Sequence, residues 1–238
     1  MATYLDRILQ RHREVARKDT RDLDGLIRQA SGLAPARGFR AALSGRHELG
    51  VLSEVNRRSP SKGDLFPGLD PVVLAGQYEA GGAACLSVLT DEEFFGGSIA
   101  DLQAARGACS LPVLRKDFTV GAGDVADARL MGADCVLLIA AAMSPGELAE
   151  LHALAVGIGL DVLVEIHDET ELQHALAADA TLVGVNQRDL VTFEVDHERA
   201  VRMAGVIPDG IVKVAESGVR GRADARSLRD AGYDAVLV

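Results

Sequence analysis

From Gly50 onward, short apolar runs rich in β-branched residues alternate with longer stretches whose apolar residues recur every three or four positions. Short unbroken apolar runs read as strands buried on both faces, and the longer period reads as amphipathic helix. Eight strands are predicted: GVLSEV (50–55), ACLSVL (84–89), PVLR (112–115), DCVLLI (134–139), DVLVEI (161–166), TLVGV (181–185), IVKVA (211–215) and DAVLV (234–238). Their spacing of roughly 20 to 35 residues leaves room for one helix and two loops each time. The stretches PVVLAGQYEAGG, SIADLQAARGA, DVADARLMGA, PGELAELHALAVGIG, ETELQHALAA, DHERAVRMAG and RADARSLRDAG supply those helices. Gly81, Gly132 and Gly232 fall where a helix end feeding the next strand needs a positive φ.

Repeated βα units of this kind predict an α/β fold, and 238 residues suit a (β/α)₈ TIM barrel of ~250. The competing architecture, an open doubly wound sheet, carries a glycine-rich phosphate turn after its first strand. Here the first strand runs into EVNRRSPSKG instead. The GxGxxA match at Gly121 to Ala126 follows the third strand only after RKDFTV, so it reads as a loop and helix start. Residues 1–48 read as two or three helical pieces, broken near Thr20 and around Pro35. They are expected to pack across the bottom or side of the barrel as an N-terminal helical extension, a loosely held segment being the other reading. The whole chain, 1–238, is expected to be one domain with the barrel at 49–238.

Composition narrows the picture. Aromatic residues make up only 4% of the chain and Trp is absent, so the core must be aliphatic. A net charge of -10 opposes the basic stripe that nucleic-acid binding requires. Cys85, Cys109 and Cys135 form no CxxC pair and read as core thiols in a reducing cytoplasm, with no structural zinc. The charged N-terminus lacks the apolar run of a signal peptide, and no stretch approaches the ~20 apolar residues of a membrane span. The expectation is a cytoplasmic protein without nucleic-acid or membrane partners. The six histidines show neither metal-ligand spacing nor a nucleophile partner; His167, two residues past Glu165, could reach the rim, but an exposed loop histidine is the plainer reading.

In a barrel of this kind the active site lies at the C-terminal strand ends. Those ends carry polar residues at the two-residue spacing that puts side chains on one face: Glu54 with Asn56, Lys116 with Phe118, and Asn186 with Arg188, beside Glu165 and Glu216. A charge following an apolar run is costly unless paired or used, and five strands offering such groups together predict a polar pocket. Lys116 is the most informative of them, because only four of the 25 basic residues are lysine. A desolvated lysine, or one near a cation such as Arg115, can give up its proton and act as acid or base; a salt bridge to Asp117 or Glu165 is the plainer reading. Lys213 has the opposite strand parity from Glu216 and is expected to face the helices. Ser59-Pro60-Ser61-Lys62-Gly63 is a small, polar turn suited to a phosphate or a mobile lid, and Glu216-Ser217-Gly218 is a second turn suited to a phosphate.

The segments EVNRRSPSKG, LRKDF, GADCVLLIAA, VEIH, GVNQRDL and AESGVRG, in this order, resemble indole-3-glycerol phosphate synthase. The resemblance runs from the first helix, YLDRILQRHREVARK, to Val238. It implies a cofactor-free lyase of tryptophan biosynthesis that converts 1-(2-carboxyphenylamino)-1-deoxyribulose 5-phosphate to indole-3-glycerol phosphate, carbon dioxide and water. It also implies that Lys116 is the general acid and that Phe118 lines the anthranilate pocket. Glu165 and Glu54 would serve the proton transfers, Asn186, Arg188 and Glu216 would orient substrate and catalytic groups, and Ser61, Ser217 and Gly218 would hold the phosphate.

Two departures stand out. The family reads Glu-Val-Lys where this chain reads Glu54-Val55-Asn56, so a second lysine is replaced by a neutral amide and activity is expected to fall. The family also continues past the eighth strand with a glycine-containing turn and a helix, whereas the sequence stops at Val238. An uncovered apolar groove is expected there unless the natural chain is longer or a partner covers it. A monomer or weak homodimer is the expected assembly. The other functional readings are a related phosphosugar isomerase and a barrel that binds the phosphorylated ligand without turnover.

Overall fold

The computed structural model describes residues 3–59, 63–66 and 68–238. Eight parallel strands close into a barrel in chain order: β1 (Gly50–Val55), β2 (Cys85–Leu89), β3 (Val113–Lys116), β4 (Cys135–Ile139), β5 (Asp161–Ile166), β6 (Leu182–Asn186), β7 (Val212–Glu216) and β8 (Ala235–Leu237). β8 pairs back onto β1, with Ala235 opposite Gly50 and Leu237 opposite Leu52. The α/β barrel expected from the sequence is the observed architecture. All eight strands lie within a residue of the expected bounds, and the shifts matter at the C-terminal ends. Lys116 pairs with Leu89, and Asn186 with Glu216, so these polar groups are the last members of the ladder rather than loop residues beyond it.

Alternation along the strands divides the apolar residues between two cores. Leu52, Cys85, Leu114, Leu137, Leu163, Leu182, Val214 and Leu237 fill the barrel interior. Leu86, Val88, Val136, Leu138, Val164, Val185 and Val236 point outward to the helices. The surrounding helices are α4 (Pro71–Ala80), α5 (Ile99–Ala108), α6 (Ala122–Leu130), α7 (Pro145–Gly157), α8 (Glu169–Ala177), α9 (Arg199–Ala204) and α10 (Arg222–Asp230), preceded by α1 (Tyr4–Lys18), α2 (Leu23–Ser31) and α3 (Phe39–Leu43). Their starts are written in the sequence. Asp70 caps α4 by accepting from the Val72 and Val73 amides, and Ser144 and Glu147 form a reciprocal capping box on α7. Gly132 and Gly232 take the expected positive φ, but Gly81 does not. Its amide still bonds back to Gln77, and the left-handed turn falls one residue later, at Gly82 with φ of 85°.

The N-terminal segment meets the expected bottom-or-side packing in two of its helices and departs from it in α1. Only α3 lies across the barrel's bottom, where the Arg40 amide donates to Asp161 at the start of β5, and Phe39 and Leu43 plug the interior. α2 packs on α6 at the side. α1 crosses the opposite, C-terminal end. Its Leu5, Ile8 and Leu9 form an i, i+3, i+4 stripe, all buried, and Leu5 and Leu9 join the interior cluster. The barrel mouth offers Leu137, Ile139 and Leu237, and an amphipathic helix is the element able to cover them. Among the described residues, no helix is long and apolar enough to cross a membrane.

Candidate active site

A cavity of about 380 Å³ opens at the C-terminal strand ends, within the range of small-molecule sites. Glu54, Asn56, Lys116, Phe118, Glu165, Asn186, Arg188, Glu216, Ser217 and Gly218 all line it. The strand ends singled out from sequence therefore converge on one space. Ser61 lies outside the described residues.

At its floor the Lys116 ammonium lies 2.9 Å from Glu216 Oε2 and 3.2 Å from Glu165 Oε2. Asn186 Nδ2 donates to the other Glu165 oxygen at 3.1 Å. Burial opposes the charge on Lys116, but Glu216, Glu165 and Glu54 outweigh it and raise its pKa. Lys116 is thus held in its charged form, with the salt bridge to Glu165 that was the plainer reading, and carries a proton it can give. Arg115 cannot lower its pKa, because strand parity sends that guanidinium to the helix side, onto Thr90, Asp117 and the Asp124 carbonyl. The two glutamates divide. Burial works against the Glu165 anion, yet Lys116, His167 and Asn186 hold its pKa below the usual value. For Glu216, burial together with the fields of Glu165 and Glu54 exceeds the pull of Lys116, and its pKa is pushed up to about 7. One carboxylate ready to accept a proton, one able to carry one, and an ammonium between them make a site for proton transfer.

Glu216 Oε1 has no hydrogen-bond partner among the described residues. It lies over Gly184 on β6, where an added Cβ would come within 1.9 Å of it. Across the cavity, Asn56 Nδ2 donates to Glu54 Oε1 at 3.0 Å, and its Oδ1 accepts from the Arg58 amide. Arg188 is anchored by its amide to Asn186 Oδ1 and by Nη1 to the Phe193 carbonyl. Phe118 packs near Phe95 and His12, with ring centroids 6.1 and 5.6 Å away.

The turn after β7 is left-handed at both Ser217 (φ 63°) and Gly218 (φ 75°). A left-handed serine costs on the order of 1 kcal/mol and persists only when its surroundings hold it. Here Gln187 Nε2 donates to the Ser217 carbonyl at 2.8 Å. A Cβ on Gly218 would meet Val195 at 2.6 Å, so this position requires glycine. Turns of this form can offer backbone N–H groups to an anion. Lys213 faces away as its parity required, with its ammonium on the Ala204 carbonyl.

Sequence reading missed several participants. Tyr4, Leu5 and Ile8 of α1 roof the cavity, with Asp91 and Phe95 beside them. Helical periodicity marks such a stripe as buried without saying what it covers. His167 is no exposed loop residue: its side chain is 13% exposed, 3.0 Å from Glu171 and 3.8 Å from Glu165. The strand parity of Glu165 and His167 was the available signal. His12 also has acidic partners, lying 3.0 Å from Asp91 and 3.9 Å from Asp117. These three offer ligand atoms within 4.8 Å of one another. Their oxygens are already engaged, Asp91 by the Phe94 and Phe95 amides and Asp117 by Arg115, Thr90 and the Phe118 amide.

Three solved structures share the fold. An N-acetylmannosamine-6-phosphate 2-epimerase from Clostridium perfringens aligns with a TM-score of 0.61 at 13% identity, covering 79% of this chain and 84% of its own. A thiamine phosphate pyrophosphorylase from Pyrococcus furiosus gives 0.58 at 16%, with 80% and 85% covered. A structure described as native KDPGal gives 0.54 at 21%, with 81% and 84% covered. Barrel and buried cluster together define the class, a (β/α)₈ barrel with a charged cavity at the C-terminal ends of its strands. The family model for indole-3-glycerol phosphate synthase matches residues 5–238, and a protein of that description from Paenarthrobacter aurescens (strain TC1) is 47% identical over 242 residues, covering 99% of this chain and 89% of its own. The chain belongs to the indole-3-glycerol phosphate synthase family, lyases of tryptophan biosynthesis.

Proposed function

We propose that this protein closes the indole ring of 1-(2-carboxyphenylamino)-1-deoxyribulose 5-phosphate, and that Lys116 is the acid that starts the reaction. The observation that carries this reading is the Lys116 ammonium held between Glu165 and Glu216 on the cavity floor. As the ring carbon bearing the carboxylate attacks the ketone, Lys116 gives its proton to the ketone oxygen. Loss of carbon dioxide returns the electron pair to the ring. The hydroxyl then leaves as water with a second proton, while a base removes one from the neighbouring CH₂. Glu165 and Glu54 serve these transfers, and Asn186 and Glu216 hold the groups in register. Phe118 flanks the aromatic ring, Arg188 faces the anionic substrate, and Ser217 and Gly218, with Ser61, take the phosphate.

Asn56 sets the rate below what a lysine there would allow, because its amide can neither give a proton at neutral pH nor attract the substrate carboxylate. Its bond to Glu54 also occupies an oxygen that proton transfer would use. Incubation with the carboxyphenylamino substrate, followed by indole fluorescence, tests both points. Turnover by the parent and a gain of at least about tenfold for Asn56→Lys are expected. Absence of product from both proteins, with tight ligand binding by calorimetry, would show a binding barrel instead.

A further inference from the structure

Ring closure as proposed above uses two protons and returns one, because a carboxylate leaves as neutral carbon dioxide. Each turnover therefore draws one proton from solvent into a buried cluster. Tyr4, Leu5 and Ile8 roof one side of the cavity, and a substrate bound beneath them would stand between the mouth and the cluster. The wall behind Glu165 offers another route. His167 follows Glu165 by two residues and lies beside it, with Nε2 3.8 Å from Glu165 Oε1 and without a hydrogen-bond partner among the described residues. A buried ring nitrogen left unpaired is costly, which marks it for a transient partner. On the far side, Glu171 Oε2 lies 3.0 Å from His167 Nδ1 and also accepts the His167 amide at 2.7 Å. The Glu171 side chain is 17% exposed while that of Glu165 is 2% exposed, so three residues span the distance from solvent to the cluster.

We infer that Glu171 and His167 form the path by which a solvent proton reaches Glu165 in each turnover. The inference rests on the ring-closure reading and assigns His167 as a positioning residue acting through Glu165. Once Lys116 has given up its proton, the charge that holds the Glu165 pKa down is gone, and the imidazolium gives its Nε2 proton to the Glu165 carboxylate and is left neutral. Rotation of the ring carries the bare nitrogen to the Glu171 side, where a solvent proton delivered through that carboxyl restores the cation. The charged groups around the ring are Glu165 of β5, Glu171 of α8 and Arg199 of α9. Burial disfavours the imidazolium, but the bond to Glu171 and the field of Glu165 outweigh it and raise the His167 pKa, so the cation is available near neutrality.

His167→Asn and Glu171→Gln, compared with the parent in single-turnover and steady-state assays, test the path. His167→Asn should complete its first turnover within about twofold of the parent rate, then fall about tenfold in steady-state kcat with KM little changed. Added imidazole should restore the steady-state rate. Glu171→Gln, which keeps the contact but loses the proton-carrying carboxyl, should show the same split. Parent-like kcat for both variants between about pH 6 and about pH 9 would overturn the inference. So would an equal loss in the first and later turnovers that imidazole does not repair, since that is the mark of a purely structural histidine. An inactive parent defeats the ring-closure reading itself, and the relay with it, whereas an active parent with parent-like variants defeats only the relay.

Discussion

Lys116 stands out in the sequence because the chain otherwise favours arginine, and its place at the last rung of β3 could be read from strand parity. Its charge state could not, since that depends on Glu165 and Glu216, far along the chain but 3.2 and 2.9 Å away in space. Lys116→Met should lower kcat by about 10²- to 10⁴-fold in the fluorescence assay, the usual cost of a lost general acid. Gly184 makes the same point from the opposite direction. A glycine inside a strand signals close approach by something, and nothing in the local sequence says by what. The answer is the Glu216 carboxylate, into which an alanine Cβ would press at 1.9 Å. Gly184→Ala should therefore displace Glu216, destabilise the fold by about 1–3 kcal/mol in urea unfolding, and reduce kcat at least about tenfold. Parent-like turnover in this variant would show that the position of Glu216 does not matter to the chemistry.

At the scale of elements, the eight strands were legible because parallel strands covered by helices need unbroken apolar runs, and the interior residues of each follow at every second position. Five of those strands place chemistry where the apolar run ends, so most of the cavity floor was legible too. The roof was not. The stripe of α1 matches any apolar surface, and its docking over the mouth is fixed by partners that only folding assembles: His12 on Asp91, Arg11 on Glu93, and Arg13 on the Ala142 carbonyl. His12 makes that docking sensitive to pH. Burial lowers its pKa, but the bond to Asp91 and the charges of Asp117 and Asp124 outweigh it and leave the pKa raised. A raised folded pKa means that the stabilisation is complete below the unfolded value of about 6.5 and is lost as pH rises through the folded one. Corrected for the intrinsic base-catalysed rate, the hydrogen-exchange protection of α1 should accordingly fall on the alkaline side of neutrality while that of β4 and β5 holds. In His12→Asn that pH dependence should vanish; its persistence would place the switch elsewhere.

Across the whole molecule, burying a cluster of charges opposes stability, and Glu216 shows the conflict. Its carboxylate is 1% exposed, and its pKa is pushed up to about 7, against about 4.3 for an unfolded glutamate. Between those two values the folded protein holds a proton that the unfolded chain lacks, so stability must fall as pH rises through the window. The loss is on the order of 3 kcal/mol by the time Glu216 is ionised, a large share of the roughly 5–15 kcal/mol that holds a domain together. Glu165 does not cancel it, because a depressed folded pKa alters stability only below its unfolded value, outside this window. His12 and His167 change stability in the same direction at higher pH, so the comparison that isolates Glu216 is between the parent and Glu216→Gln at each pH. Glutamine imitates the protonated acid and can still accept from Lys116, which keeps Glu165 and Glu54 as counter-charges. In urea unfolding the variant should be the more stable by about 1 kcal/mol near pH 5 and by about 3 kcal/mol near pH 7.5, while its turnover falls. An equal difference at both pH values would mean that Glu216 enters the folded state already ionised, and that the proton it brings to the site must come from another residue.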